Sequence, residues 1–158
     1  MSRVRIIGIG SPFGDDRIGW QAIDHLIEAG FAARFPPDWV SFEKADRPGG
    51  LLISLIRDAE LAVLVDAMRS GAVPGTLRRL CPDELVPECG LLSGHALGVA
   101  DTLALAEVLG DLPRRVVIYG IEMGASGEAC LQPGRSALQC SAFSALDRRL
   151  ADDIAQIL

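Results

Sequence analysis

The chain has no run of lysine or arginine. Its 15 basic residues are outnumbered by 21 acidic ones, for a formal net charge of -6 over 158 residues. Without a basic stripe, neither nucleic acid nor an anionic membrane is an expected partner. Long apolar runs are missing too. The longest are strand-length, far below the roughly 20 residues that cross a bilayer, so no transmembrane helix is expected. The apolar run at the start is too short for a secretory signal and leads straight into a glycine loop, so the expected location is cytoplasmic. Of the four cysteines, Cys81, Cys89, Cys130 and Cys140, none is spaced as CxxC. That argues against a zinc knuckle and a thioredoxin-type motif and fits free thiols in a reducing compartment. HExxH and GxSxG are also absent, since GIGSPFG lacks the spacing of a nucleophile elbow. A standard zinc protease or serine hydrolase is therefore not expected. Gly8-Ile9-Gly10 suggests a dinucleotide fingerprint, but the third glycine is missing. Asp15 and Asp16 stand where a pyrophosphate needs amide donors and no negative charge.

What remains is a globular composition, 49% hydrophobic and 23% charged, at a length suited to one buried core. The expectation is a single domain over residues 1–158, with no internal repeat or linker. Val4–Gly8 is β-branched and apolar, as a strand buried on both faces should be. The stretch from Gly10 to Asp16 breaks it, and Ile18–Ala29 carries a helical stripe at Ile18, Ala22, Ile23, Leu26 and Ile27. Phe31–Asp38 reads as a loop, Val40–Lys44 as a strand and Leu51–Arg57 as a short helix. Leu61–Asp66 is the clearest strand. Thr76–Leu80 reads as a less buried strand because it holds two arginines, and Cys81–Ser93 as a surface loop. A helix is expected over Ala96–Leu109, with Leu97, Ala100, Leu103, Ala104 and Val108 as its apolar face. Arg115–Ile121 is a strand, and Glu122–Arg135 a glycine-rich loop. A last helix, capped by Ser136, runs to about Gln156. Strands alternating with helices imply an α/β three-layer sandwich. It would hold a twisted, mostly parallel sheet of about five strands with helices on both faces.

Ligands of such sheets bind beyond the carboxyl ends of the strands. Asp16, Asp66 and His95 fall on segments leaving that edge, and two carboxylates with one imidazole form a ligand set for a divalent metal. Each also has a plainer reading. Asp15 or Asp16 would cap the first helix, Asp66 would cap a turn, and His95 would be a loop histidine bonded to backbone. A histidine near a helix start is disfavoured as a cation, which favours its metal-binding form. His25, between Asp24 and Glu28, reads as a solvated helix position. Glu122 ends a strand beside the proposed site and would add a carboxylate or bind substrate. Trp20 and Trp39 read as packing residues.

Taken in order, four stretches resemble the maturation endopeptidases of nickel–iron hydrogenases. They are GIGSPFGDDRIG, LAVLVDAMRSG followed by PGTL, SGHALGVADTLAL and VVIYGIE, and together they span nearly the whole chain. The resemblance implies that Asp16, Asp66 and His95 are the metal-binding and catalytic positions. It also implies removal of a C-terminal extension from a hydrogenase large-subunit precursor after nickel insertion. The nickel would come with the substrate, and no permanent metal is expected. Two departures stand out. Ser11 replaces the family's usual asparagine, and Ala45-Asp46-Arg47-Pro48-Gly49-Gly50 stands where the family has an Asp-Gly-Gly loop, with Asp46 as the candidate match for its aspartate. A noncatalytic nickel-binding chaperone and a small nucleotide-binding domain are the alternative readings.

Overall fold

Valine, isoleucine and leucine fill three strands of this chain, and those three lie side by side at the centre of its sheet with both faces covered. The computed structural model describes residues 2–10, 17–46, 48–85, 96–123 and 137–158. Among them are β1 (Val4–Gly10), α1 (Ile18–Glu28), β2 (Val40–Asp46), α2 (Leu51–Ile56), β3 (Leu61–Met68), β4 (Leu77–Leu80), α3 (Ala96–Leu109), β5 (Arg115–Glu122) and α4 (Ala137–Ala155). The strands form one sheet in the order β2-β1-β3-β5-β4. The first four in that order run parallel, and β4 closes the edge antiparallel to β5.

Alternation along the strands divides the core in two. Val4 and Ile6 of β1, Val63 and Val65 of β3, and Tyr119 and Ile121 of β5 meet α1 and α4 on one face. Ile7 and Ile9, Leu64 and Met68, and Val116 and Ile118 meet α2 and α3 on the other. The layered α/β class expected from the sequence is therefore what forms.

Several boundaries and faces differ from expectation. Strands β2 and β3 run two residues further, to Asp46 and Met68. The segment read as a loop after Gly30 contains a 3-10 turn at Phe31–Arg34, anchored by fully buried Phe31. Another 3-10 turn, Pro82–Glu84, follows β4. Proline explains where β4 stops. Its register sets Arg78 against Gly120 and Leu80 against Ile118, so the next bonded pair would place Pro82, which has no N–H, against Val116.

Helix α3 buries Val99, Thr102, Leu103 and Ala106. The expected stripe had Ala104 and Val108 inside, yet Ala104 is exposed and Val108 is 84% exposed. The helix is apolar around most of its circumference, so its sequence gives no direction for the buried side. Ile27 of α1, also expected inside, is 53% exposed. His25 is half-buried rather than solvated, with its ring centroid 5.5 Å from that of Phe143 on α4. The expected caps Asp15, Asp16 and Ser136 lie outside the described residues. The cap position before α1 is Arg17, which makes no side-chain capping bond.

Two glycines bring α1 unusually near the sheet. A Cβ on Gly8 would lie 2.5 Å from the Gly19 carbonyl oxygen. One on Gly19 would collide with the carbonyl oxygen of Ile9 and lie 2.7 Å from that of Val65. The first turn of α1 therefore rests directly on the backbone of β1 and β3, where any side chain would hold it off.

Candidate active site

Strand order reverses direction at β1: the chain steps to β2 on one side and to β3 on the other. A crevice opens at the carboxyl ends of such a pair. Here the ladder between β1 and β3 ends at Gly8 and Val65, although both strands continue. Asp66 is the next residue of β3. Its parity, shared with Leu64 and Met68, turns its side chain to the α2/α3 face. It is 1% exposed, and its Oδ1 accepts a 2.8 Å hydrogen bond from the Ala67 N–H. An aspartate inside an otherwise apolar run of eight buried residues loses its hydration, and that cost is tolerable only with polar or cationic partners.

The other carboxyl ends bring further acids to the same edge. Asp46 ends β2, exposed and in register with Gly10. Beside it, the Trp20 indole N–H donates to the Ala45 carbonyl at 3.3 Å, and the Lys44 ammonium lies 5.9 Å from the centre of its ring. Glu122 ends β5 two residues after Gly120, the register partner of Asp66. It is 1% exposed, and its Oε2 accepts from the Ser70 N–H at 2.9 Å and the Ser70 hydroxyl at 2.7 Å. Glu122, which the sequence offered as an added carboxylate or a substrate contact, holds the loop that follows β3. Ser70 carried no signal in the sequence, because only the fold brings residue 70 to residue 122.

Asp16 and His95 lie outside the described residues, so of the three expected site residues the structure describes Asp66. The elements that follow the other two in sequence are described. Helix α1 begins at Ile18 and touches Val65 through Gly19. Helix α3 begins at Ala96, and its Val99 belongs to the same apolar cluster as Ile9 and Met68. Among the described residues, no three histidine, cysteine, aspartate or glutamate side chains gather into a metal cluster. Cys81 and Cys140 are free and exposed; Cys89 and Cys130 lie outside the described residues.

A hydrogenase maturation protease family model (HycI) matches residues 48–131, the stretch that includes β3, α3 and β5. The hydrogenase expression/formation protein HoxM of Azotobacter vinelandii is 30% identical over 150 residues, covering 91% of this chain and 70% of that protein. The chain belongs to the hydrogenase maturation protease family. It is, by that membership, a peptidase of hydrogenase maturation. The hydrogenase 2 maturation protease of Escherichia coli is 27% identical over 123 residues, which is 75% of this chain and 72% of that one. Among the curated relatives the matched share of their own length ranges down to 53%, for HupD of Thiocapsa roseopersicina. The hydrogenase maturating endopeptidase HybD from E. coli shares the fold, with a TM-score of 0.73 at 20% identity over 98% of this chain and 93% of that one. Among the described residues, no helix of this family member is long and apolar enough to cross a membrane.

Proposed function

We propose that this protein is an endopeptidase that removes the C-terminal extension of a nickel-loaded nickel–iron hydrogenase large-subunit precursor, engaging the substrate's nickel through Asp16, Asp66 and His95. The observation that carries the reading is the buried Asp66 carboxylate at the point where β1 and β3 part. A negative charge desolvated in a crevice is suited to a cation brought by a ligand. Asp16 and His95 supply the remaining donors of an oxygen and nitrogen set appropriate to a divalent metal. The nickel belongs to the substrate, and the protein needs no resident metal of its own. Held by these residues, it would fix the precursor tail in one orientation and exclude a precursor that lacks it. As a Lewis acid it would polarise a nearby carbonyl or activate a water.

The test is incubation with nickel-loaded and nickel-free precursor, followed by intact mass. A mass loss confined to the loaded precursor, and abolished by His95→Ala, is the expected result. Nickel-dependent binding with no mass change would replace the reading with a noncatalytic nickel-binding chaperone.

A further inference from the structure

The Arg69–Thr76 segment leaves β3 three residues after Asp66 and returns as β4. Both of its ends are tied to one residue. At the start, Ser70 donates its N–H and its hydroxyl to the Glu122 carboxylate. At the end, the Gly75 N–H donates to the Glu122 carbonyl at 2.8 Å, and the Glu122 N–H donates to the Thr76 carbonyl at 2.9 Å. Between them, Gly71 at φ 81° and Gly75 at φ 84° take left-handed turns that other residues adopt at a cost. The Thr76 hydroxyl closes onto the Val73 carbonyl at 2.6 Å. Val73 stands 70% exposed on this loop.

We propose that Glu122 is a positioning residue of the peptidase site: by holding Ser70 it sets the path of the chain that leaves Asp66, and makes the Arg69–Thr76 loop a fixed wall of the crevice that receives the precursor tail. The inference rests on the proteolytic reading for its substrate, but the clamp itself is a property of this chain. A carboxylate buried to 1% exposure is a costly way to end a strand unless it is hydrogen-bonded. Here the carboxylate reaches the loop, while the backbone of Glu122 makes its strand contacts. Two donors from a single serine, one from the main chain and one from the side chain, fix both the position and the direction of the chain at residue 70.

The role requires an acceptor at Oε2 and not a charge, so Glu122→Gln separates it from a ligand role. With nickel-loaded precursor, Glu122→Ala should lower kcat by about 10- to 100-fold with a smaller change in KM, because misplaced reacting groups slow the chemical step. Glu122→Gln keeps an acceptor and should stay within about three-fold of the parent protein. Ser70→Ala, which retains the backbone bond, should fall between them and keeps the test informative if Glu122→Ala does not fold. Hydrogen exchange at the Ser70 amide reads the clamp without any substrate. It should be slow in the parent and in Glu122→Gln, and faster by about ten-fold or more in Glu122→Ala. A folded Glu122→Ala variant whose Ser70 amide exchanges as slowly as the parent's overturns the inference whatever the precursor assay gives. So does a Glu122→Gln variant as inactive as Glu122→Ala, or a Ser70→Ala variant with the parent's kcat. A parent protein that leaves the loaded precursor intact overturns the proteolytic reading instead, while the exchange result still decides the clamp.

Discussion

A side chain such as Asp66 keeps a charge in the interior only where something replaces water. Its Oδ1 has the Ala67 amide, and the proposed reading supplies the precursor's nickel when substrate is bound. Asp66→Asn keeps the size and the carbonyl-type acceptor and removes the charge, so cleavage of loaded precursor should be lost while the melting temperature is held or raised. An active Asp66→Asn variant would remove this carboxylate from the mechanism. His25→Ala is the matching control, though not a silent one. The ring lies against Phe143, so its loss should cost about 0.5–1.5 kcal/mol of stability and leave cleavage intact. Sequence alone assigned His25 to solvent because its neighbours Asp24 and Glu28 are acidic. It could not show that α4 crosses α1 at that point. The burial of Asp66, by contrast, was legible, because an acid that follows an apolar strand run is carried into the interior with it.

Among the elements, α4 is fastened to the sheet by a polar bolt inside an apolar layer. Tyr119 of β5 is fully buried and donates its hydroxyl to Asp153 Oδ2 at 2.6 Å; Arg79 of β4 donates to Asp153 Oδ1 at 2.9 Å. Burial first, then the bond to Asp153, raises the Tyr119 pKa above its ordinary value of 10.0, with Arg79 opposing. An acid whose pKa is raised by folding holds its proton longer in the native state. Its contribution is therefore complete below pH 10 and fades as pH rises through the folded value. Chemical denaturation from pH 8 to 11 should show that decline, and Tyr119→Phe should flatten it while costing about 1–3 kcal/mol at neutral pH. A decline of equal size in the variant would place its origin elsewhere. The strands and most helices could be read from apolar runs and their punctuation. The buried side of α3 could not, because Leu105, Val108 and Leu109 remain 49%, 84% and 58% exposed on a helix whose apolar residues surround it. Neither could the length of β2 and β3, whose last residues are held by neighbouring strands and not by their own propensity.

For the molecule as a whole, an alternating strand and helix pattern was enough to imply the layered sheet and its ligand-binding edge. The order β2-β1-β3-β5-β4 lay beyond it, since pairing depends on which strands meet in space. The resemblance of four short stretches carried the functional reading further than any single motif. If the three proposed ligands act as described, they leave nickel's coordination sphere open. Equilibrium dialysis of the protein alone should then show weak nickel binding, strengthened when precursor is present. A stoichiometric zinc that survives chelator would contradict this.

The contact between Gly8 and Gly19 leaves no room for a methyl group between helix and strand. Such a joint has no lubricating layer of side chains, so α1 cannot slide or tilt without dragging β1 and the end of β3 with it. Helix α1, β1 and the end of β3 should therefore open as one cooperative unit. Native-state hydrogen exchange should give the amides of Ala22, Ile23 and Leu26 in α1 the same opening free energy as those of Ile6 and Ile7 in β1. Earlier opening of the helix would show that the joint is looser than its geometry. If they open together, the first turn of α1 is held against the ends of β1 and β3 as by a rigid lever, and its placement there is as stable as the centre of the sheet.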